Sequence, residues 1–176
     1  MGERPATAAI TTALSAVIGV PLEQVWRAVS EPAERIRWDP CVEALVAPAD
    51  GFPALGTEAR WQYRLRGLPV ILRDRPIEVR LGCRLRSEVA LGLFHFEQTW
   101  SLQATEAGDQ THLGLQLAAA SSMAVVGGTV DRFDVRRLSA QYVDEKLRAL
   151  RERYERPTTT PTRAALLTRQ QGEPGR

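Results

Sequence analysis

The apolar and polar positions of the chain alternate in some segments and recur at helical spacing in others. Residues 10–19 alternate small, polar and apolar side chains, which predicts a half-buried strand. Residues 22–29 place apolar side chains at helical spacing directly after Pro21, so a short helix is predicted there. A second short helix is predicted to end at Trp38, before Asp39-Pro40.

From residue 41 to residue 117 the apolar period is two, and glycine-containing turns divide the stretch into about six strands. Consecutive strands with short turns form an antiparallel meander. Residues 133–154 return to helical spacing, with Phe133 and Arg136 early in one stripe. The order predicts an α+β fold: a curved antiparallel sheet of about seven strands around a long C-terminal helix, with two short helices after the first strand.

The 176 residues suit a single domain with its own core. We expect this domain to occupy residues 10–156, after a flexible N-terminal tail over residues 1–9. Residues 157–176 are rich in Thr, Pro, Gln and Arg and are predicted to be a disordered tail.

Charge and composition exclude several classes of protein. The formal net charge is only +2, and the basic residues alternate with apolar ones, so no nucleic-acid partner is expected. Residues 7–20 are too polar for a membrane span, and the cytoplasm is the predicted location. Cys41 and Cys83 lie far apart, which indicates no metal site and leaves one disulfide open. No dinucleotide or phosphate-binding loop is present, so no cofactor is expected.

A bent sheet closed by one helix leaves an internal space, which is the usual form of a ligand site. The sequence therefore predicts a cavity that binds a mostly apolar small molecule. Alternation along the strands and the helical stripe select the side chains that would point into it. The predicted ligand-binding residues are Trp38, Trp61, Ser87, Gln98, Trp100, Phe133 and Arg136.

Arg73 and Arg75 share the parity of Ile71 and are also predicted to point inward. An arginine stays charged when buried and needs an anionic partner, yet no acidic residue shares the predicted inward stripes. This imbalance predicts that an arginine binds an anionic group of the ligand. A bulge at Pro76 would instead turn both arginines to solvent and Asp74 inward, and Arg136 could extend along the rim.

The small-molecule hypothesis depends on two conditions. The interior must not be filled by the tryptophans and phenylalanines, and at least one of the three predicted guanidinium groups must enter it. The histidines contribute little to acid–base chemistry there, because His95 and His112 are out of phase with the apolar residues and are predicted to face solvent.

Three motifs carry a resemblance to a known family. A strand leads into Pro21, which three residues separate from Val25-Trp26; Trp38-Asp39-Pro40 follows; residues 96–100 and Gly108 form a late hairpin. Over residues 11–154 the chain resembles the START-like superfamily, also called helix-grip or Bet v 1-like, within it the polyketide cyclase/dehydrase group. The resemblance implies a helix-grip fold, a polyketide or lipid-like ligand and an acyl carrier protein as a partner.

Aromatase/cyclases of this group carry Ser-x-Arg on a middle strand, whereas this chain has Ile71-Leu72-Arg73, so the serine is missing. One hypothesis is a cyclase in which Tyr63 exchanges protons while Arg73 or Arg75 stabilises an enolate. The second is a non-catalytic carrier or sensor, favoured by the few inward acid–base groups. The third is an interaction module that binds a protein through Trp26 and the exposed strand faces.

Overall fold

The structure is a computed structural model that describes residues 9–47, 49–65, 67–92, 94–120, 123–125, 128–130 and 132–155. For residues 9, 120, 123–125, 128–130 and 132–134 it describes the backbone. The predicted tails lie outside these residues, except that β1 begins at Ala9. In chain order the elements are β1 (Ala9–Ile18), α1 (Leu22–Ser30), α2 (Pro32–Trp38), β2 (Val42–Leu45), β3 (Ala59–Leu65), β4 (Leu68–Arg80), β5 (Arg84–Leu91), β6 (Phe94–Ala104), β7 (Thr111–Ala120), β8 (Met123–Val125), β9 (Gly128–Val130) and α3 (Arg132–Glu155).

Seven strands form one antiparallel sheet in the order β1-β7-β6-β5-β4-β3-β2. Each strand from β2 to β7 pairs with the next, while β1 pairs with β7. The predicted α+β helix-grip fold is confirmed. The sequence did not predict the short β8–β9 pair that precedes α3. Gly128 begins β9, and Gly127 lies outside the described residues.

Alternation along three strands agrees with the predicted inward faces. On β3 the inner side chains are Trp61 and Tyr63, on β5 Ser87, and on β6 Gln98 and Trp100. All of them are at most 2% exposed. His95 and His112 are exposed, as expected from their phase.

The prediction that Arg73 and Arg75 point inward is wrong, because β4 is bulged. Both arginines are exposed, whereas Asp74 between them is only 2% exposed. The register with β5 shifts between Pro76 and Glu78. Proline has no N–H for the ladder, so the strand is irregular there and its alternation changes. The alternative that we left open for this strand is the one observed.

The predicted stripe of α3 is correct in its second half and wrong in its first. Val143 is fully buried, but Arg136 is exposed and cannot line the interior. The buried side includes Ser139 and Lys146, which are polar and were therefore missed by a search for apolar spacing. The side chain of Phe133 lies outside the described residues.

Tryptophan side chains fix the short helices to the sheet. Trp38 Nε1 donates to the Ala28 carbonyl at 2.8 Å, and Trp61 Nε1 donates to the Pro32 carbonyl at 3.1 Å. The Trp38 ring also packs edge-on against Trp100, with centroids 6.3 Å apart. These buried indoles hold α1 and α2 at one end of the sheet with their polar atoms satisfied. No described helix is long and apolar enough to cross a membrane.

Candidate functional site

Charged and polar side chains meet inside the fold where α2, α3 and the inner face of the sheet converge. Two come from α2 and its C-cap, two from α3, and four from the strands β3 to β6. Each is at most 6% exposed. We call them the polar cluster: Arg35, Asp39, Tyr63, Asp74, Ser87, Gln98, Tyr142 and Lys146.

Asp39 and Lys146 form the closest ion pair of the polar cluster. Lys146 Nζ donates to both carboxylate oxygens of Asp39, at 2.6 and 2.5 Å, and to the Tyr63 hydroxyl at 2.9 Å. Asp39 Oδ1 also accepts a hydrogen bond from the backbone N–H of Cys41 at 3.1 Å. All three donors of the ammonium therefore have buried acceptors, as a buried lysine requires.

Arg35 connects the same carboxylate to the sheet and to α3. Its Nε donates to Asp39 at 3.2 Å, one terminal nitrogen lies 3.5 Å from Asp74 Oδ2, and the other donates to the Tyr142 hydroxyl at 2.9 Å. The guanidinium also lies over the Trp61 ring, 4.8 Å from its centroid. A planar arginine suits this position because its donors reach several partners while its face stacks on an aromatic ring.

Burial shifts the ionisation of this cluster. It lowers the pKa of Lys146 to about 8, against the opposing effect of Asp39 and with a further lowering by Arg35. It raises the pKa of Asp74, although Arg35 and Ser87 favour the charged form. Burial also raises the pKa of Tyr63 and that of Tyr142, so both phenols stay protonated. The tyrosines are therefore hydrogen-bond donors and not bases at neutral pH.

Two hollows flank the wall that Leu138 and Tyr142 form. The larger, of about 290 Å³, lies between β3 and α3 and is lined by Cys41, Tyr63 and Leu65 on the side opposite that wall. The smaller, of about 20 Å³, is lined mainly by apolar side chains of β5, β6, β7 and α3. We call them the open hollow and the apolar crevice. The crevice has room for about one water molecule.

The conditions set for a small-molecule site are met in part. None of the three predicted arginines enters the interior: Arg73, Arg75 and Arg136 are exposed. A different arginine, Arg35, is buried there instead. The tryptophans fill much of the space, because Trp61 and Trp100 are almost fully buried. What remains of the predicted cavity is the open hollow and the apolar crevice.

The structure brings several of the predicted residues together. Tyr63 lines the open hollow, while Ser87 and Gln98 lie deeper, paired across β5 and β6. Trp38, Trp61 and Trp100 belong to the hydrophobic core. On the outer face of the sheet, Arg73 and Arg75 border a depression that also contains acidic side chains and His95.

Sequence reasoning missed Arg35, Asp39 and Lys146, and it placed Asp74 inward only in the alternative with a bulge at Pro76. One signal was present, because Lys146 is the single lysine of a chain rich in arginine. Another was Asp39, which lies inside the Trp38-Asp39-Pro40 motif. Arg35 gave no such signal, since its partners Asp74 and Tyr142 come from distant segments. Cys41 and Cys83 are both free thiols, and the described residues contain no group of His, Cys, Asp or Glu side chains arranged to hold a metal ion.

Comparison with protein families shows which family this fold belongs to. The model of the family described as polyketide cyclase / dehydrase and lipid transport matches residues 9–155. The chain belongs to this family. The resemblance seen in the sequence is thereby confirmed, and the family's hydrophobic ligand-binding fold is the frame for the interior described above. No curated protein matches the chain significantly.

Solved structures show how widely this family's fold is shared. A START superfamily protein from Mycobacterium smegmatis has 17% identity and a TM-score of 0.68, covering 84% of this chain and 98% of that one. Zhui aromatase/cyclase from Streptomyces sp. R1128 has 13% identity and a TM-score of 0.66, with coverages of 85% and 95%. A protein from Thermus thermophilus has 25% identity and a TM-score of 0.60, with coverages of 82% and 97%.

The ion pair between Asp39 and Lys146 predicts a coupling in stability. We expect Lys146→Met to lower the free energy of unfolding by about 3–5 kcal/mol, because Asp39 loses its closest cation inside the protein. Asp39→Asn combined with Lys146→Met should cost less than the sum of the two single changes. Urea unfolding at pH 7 measures all three variants.

Arg148→Met is the matched control for this cycle. Arg148 is two positions along α3, with its exposed side chain bound to Asp144 at 2.8 Å. An exposed pair contributes about 0–1 kcal/mol, so this variant should be close to wild type. Equal losses for Lys146→Met and Arg148→Met would contradict the importance of the buried pair.

The lowered pKa of Lys146 predicts how stability depends on pH. In the folded protein this pKa is about 8, below the ordinary lysine value of 10.5. Between these values the unfolded chain binds more protons than the folded one, so the free energy of unfolding rises with pH. The stability difference between wild type and Lys146→Met should therefore increase from pH 8 to pH 10. A difference that is constant or falls over this window would mean that the pKa is not lowered.

Proposed function

We propose that this polyketide cyclase/dehydrase family member binds an apolar small molecule between α3 and the inner face of the sheet and acts on it as a cyclase or dehydratase. One observation carries the proposal. The open hollow is lined by Tyr63 and Tyr142, and the hydroxyl of each accepts a hydrogen bond from a buried cation, Lys146 or Arg35, at 2.9 Å.

The volume of the hollows limits the size of a ligand that can bind without displacing side chains. Ligand pockets of proteins usually enclose about 300–1,000 Å³, so the open hollow of about 290 Å³ lies at the lower end of that range. The apolar crevice adds little volume by itself. Leu138 and Tyr142 line both spaces, and Tyr142 is held by Arg35 and Gln98, so movement of the Leu138 side chain would join them. A ligand larger than a single ring system is therefore expected to displace this wall.

Tyr63 is suited to polarise a ligand carbonyl, whereas the Tyr142 hydroxyl already donates to Gln98 Oε1 at 3.1 Å. The Tyr63 oxygen accepts a hydrogen bond from Lys146, which favours donation of its own proton to another acceptor. The raised pKa of Tyr63 keeps that proton in place at neutral pH. A phenol that donates to a carbonyl stabilises the enolate formed when a neighbouring C–H is deprotonated, and an apolar enclosure strengthens this effect.

A cyclase of this design would act through positioning and electrophilic assistance. The carboxylates of the polar cluster, Asp39 and Asp74, each contact a cation, so we assign neither as a free base. The methylene protons of a poly-β-ketone are acidic because each lies between two carbonyls, so solvent water that enters the open hollow takes up the proton when the enolate forms. Holding the chain folded removes much of the entropic barrier to ring closure.

The alternative is a carrier or sensor that binds a lipid-like molecule without changing it. The observation that favours it is the mutual pairing of three charged groups of the polar cluster: Asp39, Lys146 and Arg35 are engaged with one another. In this case Tyr63 would only orient the ligand. The acyl carrier protein and the cytoplasmic location predicted from the sequence stay predictions under either function.

A bulky side chain at the wall should block ligand binding. We expect Leu138→Trp to weaken binding of the probe 8-anilinonaphthalene-1-sulfonate at least about tenfold, because the indole would occupy both hollows. Ala140→Trp adds the same ring to the exposed side of α3 and should leave binding unchanged. Fluorescence titration measures the affinities, and circular dichroism checks that both variants are folded. Unchanged binding to Leu138→Trp would place the probe elsewhere and remove the support for this site.

Replacement of Tyr63 separates the two functions. When a poly-β-ketone, free or attached to an acyl carrier protein, is incubated with the wild type, the product mixture should differ from the one formed without protein. Tyr63→Phe should reduce this effect about a hundredfold, as loss of a transition-state hydrogen bond does. Tyr154→Phe is the control, because its hydroxyl binds the Gln24 carbonyl at the far end of α3. Liquid chromatography with mass spectrometry measures the products.

The outcome that contradicts the cyclase is a product mixture that wild type leaves unchanged. Native mass spectrometry then tests the carrier. A co-purified lipid retained by both wild type and Tyr63→Phe would support the alternative.

A further inference from the structure

Among the residues that the structure describes, three buried polar atoms on the inner face of the sheet find no hydrogen-bond partner. They are Asp74 Oδ1, Ser87 Oγ and Gln98 Nε2. Their residues are 2%, 1% and 0% exposed. Leaving such groups unsatisfied costs free energy, so three together indicate a place where another polar group binds.

The register of the sheet places these residues side by side. Ser87 on β5 is the direct partner of Gln98 on β6. On the other side, Ser87 pairs with Pro76 of β4 and Asp74 pairs with Val89. Asp74 is therefore diagonal to Ser87, and the three side chains extend from three neighbouring strands toward the interior.

The orientation of the Gln98 amide follows from its neighbours. The Tyr142 hydroxyl accepts a hydrogen bond from Arg35, so its own O–H is left to donate. It donates to Gln98 at 3.1 Å, and the acceptor atom is therefore Oε1. The N–H groups of Gln98 are then free to donate. Asp74 Oδ2 faces Arg35, so Oδ1 is the carboxylate oxygen that can still accept a hydrogen bond. The Ser87 hydroxyl favours the charged form of Asp74 but makes no hydrogen bond of normal geometry with it.

We propose that Asp74, Ser87 and Gln98 form a subsite for a hydroxyl group of the ligand, of a phenol or an enol. The oxygen of such a hydroxyl accepts hydrogen bonds from the Gln98 amide and from Ser87, and its O–H donates a hydrogen bond to Asp74 Oδ1. A ketone or ester, which has no proton to give, would leave Asp74 Oδ1 unpaired. The inference rests on the proposed function, because it requires a ligand that extends from the hollows toward these three side chains.

The route to the subsite is apolar. Phe96 precedes Gln98 on the inner face of β6 and lines the apolar crevice. Its ring packs against that of Tyr142, with centroids 5.3 Å apart. A ligand whose ring replaces this contact would place a ring substituent next to Gln98. The ligand class is therefore a hydroxylated aromatic or enolised ring, with apolar carbon along Phe96 and oxygen at the three polar atoms.

The test compares two probes that differ by one hydroxyl, 2-naphthol and naphthalene, in fluorescence titrations of the full chain. Wild type should bind 2-naphthol at least about tenfold more tightly, which is the factor that one or two buried hydrogen bonds supply. Ser87→Ala and Asp74→Asn should each reduce this preference to less than about threefold while naphthalene affinity stays the same. Ser87→Ala removes no hydrogen bond of the free protein, so it is expected to fold.

Ser101→Ala is the control, since Ser101 lies on β6 but faces solvent, and its preference should equal that of wild type. Equal affinities of wild type for both probes would overturn the subsite while leaving apolar binding in the hollows intact. A preference that survives in Ser87→Ala and Asp74→Asn would likewise overturn it. If neither probe binds, both the subsite and the proposed function fail.

Discussion

Asp39 is the carboxylate that both buried cations of the polar cluster share. It follows directly after α2, receives Lys146 from α3 and is also bound by Arg35 from α2. Two positive charges could not stay inside this fold without it, because an unpaired buried charge costs several kcal/mol. The packing of Trp38 on Trp100 holds the end of α2, which Asp39 directly follows. The positions of the ion pairs therefore depend on this hydrophobic contact.

This arrangement divides the interior into a rigid part and an adaptable part. The polar cluster is held by short hydrogen bonds from several elements, so Tyr63 and Tyr142 are pre-positioned before a ligand arrives. The wall beside it relies on apolar contacts of Leu138, which have no fixed direction and are easily rearranged. In the proposed function, the fixed hydroxyl of Tyr63 orients the ligand, and the adaptable wall accommodates its bulk.

Alternation along the chain predicted the sheet and most inward side chains, because β3, β5 and β6 keep strict period two. On β4 the prediction was wrong, because a bulge near Pro76 turns Arg73 and Arg75 to solvent and Asp74 to the interior. It failed again on α3, where the buried side includes Lys146. In both places the buried residue is charged, and its partner lies far away in sequence. Local patterns of hydrophobicity carry no information about such pairs, so the polar cluster required the three-dimensional structure.

The enclosure of Lys146 has a practical consequence for the chemistry of the whole molecule. It carries the only ε-amine of the chain, and its side chain is 1% exposed. Reagents that acylate amines therefore do not reach this ε-amine while the protein is folded. Acylation of this lysine becomes a direct report that the chain has opened.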